Sequence, residues 1–456
     1  MLARFLGIAC AWLACAAAHG ESAFWVWSRS EPLSAQEKAD LKAAEVKTLY
    51  WELGVLENKS GSWEWGLPPR LPEKSSGTLR IVPVVRLESS VAAPFAPKLA
   101  DSLRQKLLEA FRATEADEWQ LDYDAPDRLV GEYADFLKTL RPLAPKLSST
   151  ALAGWVRLPA FPKLCNSVSE LCPMFYDLMP DTADALRPLL EEESTRTLMQ
   201  EWTKACDIPW RAGLPWFSRL TLYDADGKSR GHFRSWSWDS VVFAPGLRVE
   251  SPEKDGLTVL RAKDRVMLGR TEINKDERLV LRWCDIKTVA AVEKEAARDA
   301  IFFRLPGAGG PSGWSLRQFM ARDRAAETKL AVHRAGEQLI LKNEGDTDLP
   351  PRILGDGPED RGYALEVEGN GMIFRDVMPG DFSRLRGHTQ PDSSRPQSAA
   401  ISNATRLTFW FPALPAGQSL VCRLFQLAPA AEAAPLRYRI LYLPEKPSWQ
   451  PLEFTR

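Results

Sequence analysis

Short runs rich in apolar residues recur through the first 320 residues, separated by stretches with apolar residues at helical spacing. Nearly continuous apolar runs are typical of parallel strands that are buried on both faces. The predicted strands cover residues 23–27, 48–54, 80–88, 118–126, 148–155, 173–178, 210–217 and 300–306. The predicted helices cover residues 34–46, 97–113, 127–140, 182–205, 286–298 and 315–322. Eight strands that mostly alternate with helices predict the α/β class and a (β/α)8 TIM barrel.

Two segments depart from this alternation. Residues from about 218 to 285 follow the seventh strand, and the turn at 224–227 predicts a hairpin. We expect this insertion to form a lid or a wall beside the barrel mouth. After about residue 326, short alternating runs separated by turn residues predict an antiparallel β-sandwich. The predicted domains are therefore a barrel at 21–325 and an accessory β-sandwich at 326–456.

Residues 1–20 have the pattern of a secretory signal. Arg4 supplies a basic start, and the apolar stretch from Leu6 to Ala18 is too short to span a bilayer. No later stretch is long and apolar enough for a transmembrane helix. We therefore expect an exported protein, periplasmic or extracellular, without a transmembrane segment.

Export would permit disulfide bonds, because these persist in oxidising compartments. Five of the seven cysteines lie beyond the predicted signal. Cys165 and Cys172 form the simplest pair, since a bond between them would close a short loop before a strand. The odd number leaves at least one thiol free or paired elsewhere.

The predicted fourth strand, residues 118–126, carries acids on one face. Its apolar positions are Trp119, Leu121 and Tyr123, and they alternate with Gln120, Asp122 and Asp124. Side chains two residues apart in a strand point to the same face, so the two aspartates form a row. A buried row of acids is costly unless it is paired or used. One interpretation is structural, with one aspartate capping the next helix and the other in a salt bridge. The other is an acid pair at the mouth of the barrel.

Barrel enzymes place their chemistry at the carboxyl ends of the strands. The residues predicted at these ends are Trp25, Trp27, Glu52, Arg86, Glu88, Asp122, Asp124, Trp155, Tyr176, Asp177, Trp216 and Arg304. Carboxyl groups, arginines and indoles at one mouth suit glycoside chemistry, in which an acid protonates the leaving oxygen and indoles hold the sugar. The sequence thus predicts a glycan or another small molecule as ligand.

Structural explanations remain open for several of these residues. Arg86 with Glu88, or Arg304 with Asp122, could form ion pairs across the mouth. Trp25 and Trp27 share one facing, so one role is expected for both, either packing under the insertion or a platform for sugar. Trp155 at a strand end is more typical of a lining residue than of a catalyst.

Composition argues against other classes of function. The chain has four histidines, and only His232 is near the barrel in sequence. This number of histidines argues against a Ser-His-Asp triad and against a histidine-rich metal centre. An all-carboxylate magnesium or calcium site at Asp122 and Asp124 is an alternative to the acid pair. Apart from that alternative, no metal or cofactor is expected. The net charge is −1 with no basic patch, which argues against nucleic acid as a partner.

The fourth and sixth strands resemble motifs of the chitinase-like glycoside hydrolases of family 18. Residues 117–124 are similar to the fourth-strand motif Asp-Gly-x-Asp-x-Asp-x-Glu, and Met174-Phe175-Tyr176-Asp177 matches the sixth-strand motif Met-x-Tyr-Asp. The resemblance implies that Asp124 is the acid, that Asp122 is its partner, and that Tyr176 and Asp177 orient the acetamido group of the substrate. Asp124 stands where the motif has Glu, and Gln120 where it has Asp.

A longer resemblance covers most of residues 23–322. The segments FWVW, LYWELG, VPVVRLE, QLDYD, LSSTALAGW and FFRLP resemble a family of bacterial exported proteins, the domain of unknown function 3142. This resemblance implies a glycosidase-like barrel.

Three functions fit the sequence. The first is a glycoside hydrolase-like activity on a glycan, with Asp124 as general acid and Asp122 raising its pKa. The second is a carbohydrate-binding protein without turnover, which the missing Glu favours. The third is a surface-assembly protein in which the β-sandwich carries the interaction.

Overall fold

The computed structural model describes residues 20–455, apart from positions 60, 73, 75–76, 180, 182–184, 297–298, 308–312, 390–397, 400 and 429–434. Within these residues, eight parallel strands form a closed barrel, in which the first strand pairs with both the second and the last. The barrel strands are β1 (Ser22–Val26), β2 (Thr48–Asn58), β3 (Arg80–Ser89), β4 (Trp119–Asp122), β5 (Leu147–Leu152), β6 (Glu170–Met174), β7 (Ala212–Pro215) and β8 (Ala300–Phe303). The predicted TIM barrel is confirmed.

Helices cover the outside of the barrel. They are α1 (Ala35–Ala43), α2 (Pro97–Arg112), α3 (Val130–Leu140), α4 (Phe161–Cys165), α5 (Glu192–Ala205), α7 (Ile286–Ala296) and α8 (Leu316–Met320), whereas α6 (Trp238–Val242) packs within the insertion. Ser34 and Glu37 form a capping box at the start of α1, and Pro97 occupies the first turn of α2. The predicted helix at 182–205 begins only at Glu192, and its positions 182–184 lie outside the described residues.

The sixth strand was predicted at 173–178 but lies at Glu170–Met174. Its first residue, Glu170, is buried in ion pairs with Lys146 and Arg211, so a charged side chain stands where an apolar one is expected. As a result, Tyr176 and Asp177 follow the strand instead of ending it.

The two faces of the barrel strands have different surroundings. Outward side chains such as Phe24, Leu121 and Phe302 pack with the helices in the largest hydrophobic core. Inward side chains form a smaller cluster in the barrel interior: Ala23, Trp25, Tyr50, Val82, Val84, Cys172 and Ile301. The strands are therefore buried on both faces, which explains their continuous apolar runs.

The segment after β7 forms a separate antiparallel sheet, here called the inserted sheet. Its strands are Ser218–Tyr223, Ser229–His232, Leu247–Lys254, Leu257–Ala262 and Arg278–Trp283. A hairpin of Val266–Leu268 and Thr271–Ile273 lies beside it. Ser218–Tyr223 pairs with Ser229–His232 around a turn in which Lys228 accepts from the Asp224 amide, 2.9 Å.

Residues after 329 form further sheets that are antiparallel except for one parallel pairing. The strands are Leu330–Ala335, Gln338–Asn343, Tyr363–Glu368, Ile373–Met378, Arg384–His388, Ser398–Ala399, Arg406–Phe411, Ser419–Val421, Leu424–Ala428, Arg437–Leu441, Gln450–Pro451 and Glu453–Thr455. Side chains from the different sheets share one hydrophobic core. The predicted combination of a TIM barrel with a following β-sandwich is confirmed.

The predicted pairing of Cys165 with Cys172 is wrong. Cys172 points into the barrel interior, whereas Cys165 belongs to the core between barrel and helices. The Sγ atom nearest to Cys165 that the structure records is that of Cys206, at 3.7 Å. None of the five cysteines in the described part of the chain is joined in a disulfide bond.

No helix among the described residues is long and apolar enough to cross a membrane. The predicted signal, residues 1–20, lies outside the described residues except for Gly20.

Candidate functional site

A recess of about 370 Å³ opens at the carboxyl ends of the barrel strands. The residues that line it are Trp25, Trp27, Arg86, Asp122, Asp124, Thr150, Leu152, Met174, Tyr176, Asp177, Phe217 and Phe303. Seven of the twelve predicted site residues are therefore brought together at one place. We call this recess the mouth.

Asp122 is the last residue of β4 and is 7% exposed. Its Oδ1 accepts a hydrogen bond from the Thr150 hydroxyl, 2.7 Å, and its Oδ2 lies 3.8 Å from Nε of Arg86. Burial and the neighbouring Asp124 carboxylate raise the pKa of Asp122 to about 7, although Thr150 and Arg86 favour its charged form. This carboxyl therefore holds a proton up to near neutral pH.

Asp124 lies two residues further on and is exposed to the mouth. Its pKa is raised because the recess reduces its hydration; Arg86 opposes this effect and Glu88 adds to it. The two aspartates titrate as one coupled pair. The exposed member of this pair is the one that a ligand in the mouth can contact.

A buried tryptophan closes the barrel below the acid pair. Trp25 is 1% exposed, and its Nε1 donates to Oε1 of Gln120 at 2.8 Å. Gly213 leaves room for this ring, since a Cβ there would lie 3.0 Å from Cη2 of Trp25. Gln120 and Asp122 thus share the inward face of β4, with Gln120 in the floor and Asp122 in the mouth.

Four aromatic rings form one wall of the mouth. The ring of Phe303 lies 5.7 Å from Trp27, 6.0 Å from Tyr176 and 5.3 Å from Phe217, measured between centroids. Trp27 and Tyr176 are half-buried, so each ring keeps a part of its surface open to the mouth. Such a wall provides the apolar surface on which the faces of a sugar ring can stack.

Trp25 and Trp27 share the inward facing, as expected, but not one role. Trp25 is hydrogen-bonded and enclosed, whereas Trp27 is partly exposed. The first belongs to the floor of the mouth and the second to its wall.

The inserted sheet holds the segment after β6. The carboxylate of Asp177, a residue with φ of +52°, accepts from Nη1 of Arg219. Arg282 is 0% exposed, and its guanidinium donates to Asp181 Oδ2, 2.7 Å, and to the carbonyl of Arg187, 2.8 Å. Arg219 and Arg282 are direct cross-strand partners. Two adjacent cations on one sheet face repel each other unless acids neutralise them, and the two aspartates do so.

Three predicted residues stand around the recess without lining it. Glu52 accepts from the Ser28 amide, 2.7 Å, and burial raises its pKa. Glu88 forms an ion pair with Arg86 at 2.9 Å. Arg304 follows β8, and burial lowers the pKa of its guanidinium while Glu52 opposes that effect. Of the two ion pairs considered from the sequence, the described residues show that of Arg86 with Glu88, and the cation recorded beside Asp122 is Arg86, not Arg304.

Two predicted tryptophans lie in the outer core. Trp155 is 1% exposed because β5 ends at Leu152 and the chain turns into a short 3₁₀ helix, Ala153–Arg157. Trp216 is 0% exposed and its Nε1 donates to the carbonyl of Trp314, 2.9 Å. Neither indole lines the mouth.

Several lining residues were missed by the sequence reasoning. They are Thr150, Leu152, Met174, Phe217 and Phe303. Strict alternation would have found some of them, since Ser148, Thr150 and Leu152 follow one face of β5. Likewise, the inward Gly213 and Pro215 of β7 point to Phe217, not to Trp216.

The fold and the site together define a TIM-barrel protein with a carboxyl pair and an aromatic wall at the mouth of the barrel. The model of the family described as "Domain of unknown function (DUF3142)" matches residues 78–308. The chain belongs to this family. No curated protein sequence matches the chain.

Several solved structures are similar to the chain at low identity. A chitinase from Chromobacterium violaceum has 10% identity and a TM-score of 0.44 over 67% of this chain and 98% of its own. The C-terminal domain of a putative chitinase from Desulfitobacterium hafniense has 11% identity and a TM-score of 0.42 over 62% and 93%. The spore cortex-lytic enzyme SleL of Bacillus cereus has 11% identity and a TM-score of 0.43 over 67% and 74%.

Proposed function

We propose that the protein hydrolyses a glycosidic bond in a glycan that binds in the mouth. The observation that carries this proposal is the carboxyl pair: Asp122 is buried and keeps a proton up to about pH 7, and Asp124 beside it is open to a ligand. Glycosidases need a carboxylic acid that remains protonated near neutral pH. Asp122 and Asp124 meet that need as a coupled pair.

In this proposal Asp124 delivers the proton to the leaving glycosidic oxygen, because it is the exposed carboxyl of the pair. Asp122 supports it through the shared proton, and it is itself fixed by the Thr150 hydroxyl. Arg86 lies beside both acids and stabilises the negative charge that remains after proton transfer.

The aromatic wall would hold the sugar. The rings of Trp27, Tyr176, Phe217 and Phe303 line the mouth, and a pyranose can stack its C–H face on such rings. Tyr176 and Asp177 follow β6 at the edge of the mouth, where they would orient a substituent of the sugar. Glu52, Glu88 and Arg304 would contribute charge around the mouth without contacting the sugar directly.

Carbohydrate binding without turnover is the second candidate. The side chain of Asp124 is one carbon shorter than the Glu that stands at this place in the motif it resembles, so its reach to a glycosidic oxygen is shorter. The pocket and its rings would bind a glycan equally well in either case.

A glycan array followed by a reducing-end assay on every hit tests the proposal. Release of reducing ends that disappears in Asp124→Asn supports hydrolysis. Glycan binding without release of reducing ends would support the second candidate, a carbohydrate-binding protein without turnover. Silence in both assays would contradict a glycan ligand and favour the surface-assembly role for residues 326–456.

We also infer that the protein acts outside the cytoplasm, in the periplasm or beyond the cell. The support is the signal-like pattern of residues 1–20. Fractionation of the producing cells, followed by sequencing of the amino terminus, tests this inference. We expect the protein in the periplasm or medium without residues 1–20, whereas a protein that stays in the cytoplasm with residue 1 intact would contradict it.

A further inference from the structure

The seam between β6 and β7 is the part of the barrel where the strands pair least. Among the described residues, Met174 and Gly213 form the one ladder pair of these two strands, and Leu171 with Trp210 adds an isolated bridge. The preceding seam, between β5 and β6, is paired continuously from Ser148 to Leu152. Main-chain pairing therefore stabilises closure of the barrel less at β6 and β7 than at the seam beside it.

Two cysteines lie behind this seam in the helix layer. Cys165 is the last residue of α4, and the chain then enters β6; Cys206 follows α5, and the chain then enters β7. Their Sγ atoms are 3.7 Å apart, and both residues are buried. A disulfide has a sulfur–sulfur distance of about 2.0 Å. Each sulfur would therefore move by less than about 1 Å, which small side-chain rotations can provide.

We propose that Cys165 and Cys206 form a disulfide bond when the chain folds in an oxidising compartment. This bond would link the chain segments that lead from α4 and α5 into β6 and β7, and would stabilise the seam between these two strands. The proposal is independent of the glycan function. Cys172 and Cys422 do not compete for either thiol, because Cys172 lies inside the barrel and Cys422 in the core of the C-terminal sheets.

The oxidant is a disulfide donor, either oxidised glutathione or a protein dithiol oxidase in its disulfide form. The thiolate of one cysteine attacks a donor sulfur, which breaks the donor disulfide and gives a mixed disulfide. The thiolate of the second cysteine then attacks the protein sulfur of that mixed disulfide. The donor leaves as a dithiol, or as two glutathione thiols, and takes up the two protons; the protein loses two electrons.

The same burial fixes when the bond can form. Contact with Cys206 and burial raise the pKa of the Cys165 thiol, so little thiolate is present in the folded protein. Exchange with a donor therefore belongs to the stage of folding before α4 and α5 close over the seam. A protein that has already folded with both thiols reduced should react slowly with the same donor.

The bond lies at the end of the barrel opposite the mouth, because Cys165 and Cys206 precede the amino ends of β6 and β7. We therefore expect it to change stability and to leave ligand binding in the mouth unchanged. The closed loop spans about 40 residues, for which a melting temperature higher by roughly 5 °C is expected in the oxidised form.

Refolding the full chain from denaturant in a glutathione redox buffer tests the proposal. Proteolysis without reductant, followed by mass spectrometry, should yield the peptide of Cys165 linked to that of Cys206. Reduction should lower the melting temperature by roughly 5 °C. Cys165→Ala and Cys206→Ala should remove this dependence on reductant, whereas Cys284→Ala, a change at another buried cysteine, should keep it.

Two results would overturn the proposal. One is that Cys165 and Cys206 are both alkylated as free thiols after refolding under oxidising conditions. The other is a link from either of them to a different cysteine. Both results are measured on the wild-type protein, so they test the proposal even if an alanine variant fails to fold.

Discussion

At the scale of single residues, the two aspartates of the mouth differ in what surrounds them. Asp122 is enclosed and hydrogen-bonded to Thr150, whereas Asp124 faces solvent. The proton of the pair therefore resides mainly on Asp122 in the free protein, and the partner with access to ligand is Asp124. This separation of proton storage from proton delivery makes the two positions distinguishable by mutation.

We predict different kinetic effects for Asp124→Asn and Asp122→Asn. The first should lower turnover roughly 10²–10⁴-fold, the usual contribution of a general acid, and keep glycan affinity because the rings are untouched. The second should retain some turnover and shift the alkaline limb of the pH–rate profile to lower pH, because the pair loses the buried carboxyl that holds its proton up to about pH 7. Rates measured from pH 4 to 8 on the best glycan substrate give both quantities.

Asp127→Asn is the matched control, since it removes an exposed acid five residues after Asp122. It should leave rate and profile unchanged. A rate for Asp124→Asn equal to that of the wild type would remove Asp124 from the mechanism.

We also predict that Asp122 makes the stability of the protein depend on pH. Its folded pKa of about 7 lies above the ordinary value of 3.8, so the folded state binds more protons than the unfolded chain between these values. The contribution of this group to stability is therefore complete below about pH 4 and is lost as the pH rises towards 7, at a cost of roughly 2–4 kcal/mol. Asp122→Asn should lack this loss. Denaturant unfolding at pH 4.5 and 7.5 measures it, and equal pH dependence in both proteins would contradict the assignment.

At the scale of elements, β7 shapes the floor of the mouth. Gly213 lies between β6 and the ring of Trp25, and a Cβ at this position would come within 2.9 Å of the carbonyl oxygen of Pro173 and 3.0 Å of Cη2 of Trp25. The backbone oxygen cannot move aside without shifting β6. The short strand and the large ring thus depend on the absence of a side chain.

Gly213→Ala should therefore destabilise the barrel by about 1–3 kcal/mol, as overpacked core positions do. It should also weaken glycan binding, because Trp25 is displaced toward the acid pair. Thermal unfolding and titration of tryptophan fluorescence check the two effects. Gly154→Ala is the control, since its Cβ would meet no atom within 4 Å among the described residues; a similar loss in that variant would contradict the packing argument.

At the scale of the whole molecule, one carboxylate joins the C-terminal sheets to the barrel. Asp348 accepts hydrogen bonds from the amide and hydroxyl of Ser315, the N-cap of α8, at 2.7 and 2.6 Å. It also accepts from the amide of Ala416 at 2.7 Å. Burial raises its pKa although these donors oppose that effect. Its side chain thus belongs to both parts of the structure at once.

We predict that Asp348→Ala lowers stability by about 1–3 kcal/mol, because three buried or half-buried donors lose their acceptor. Calorimetry should show the barrel and the C-terminal sheets beginning to unfold separately. The control is Asp346→Ala, two residues before Asp348, which removes an exposed ion pair with Arg324. This variant should keep the calorimetric transition of the wild type. A single unchanged transition in Asp348→Ala would contradict the role of Asp348 as a link.

The order of the barrel strands and the facing of β4 could be predicted from the sequence, because both depend on periodicity, which is local. The positions of Trp155 and Trp216 could not be predicted, because strand ends depend on the turn that follows, and in both places the strand ends before the indole. The proximity of Cys165 and Cys206 could not be predicted either, because the two residues are 41 positions apart and only the packing of α4 and α5 brings them together.

The inserted sheet begins and ends at the same point of the barrel. Ser218 and Trp283 are register partners in neighbouring antiparallel strands, so the chain returns to the place it left. A deletion that joined residue 218 to residue 283 by a short turn would therefore preserve the path from β7 to α7. Such a deletion would also remove the contacts of Arg219 with Asp177 and of Arg282 with Asp181, so the segment after β6 would lose its anchors at the edge of the mouth.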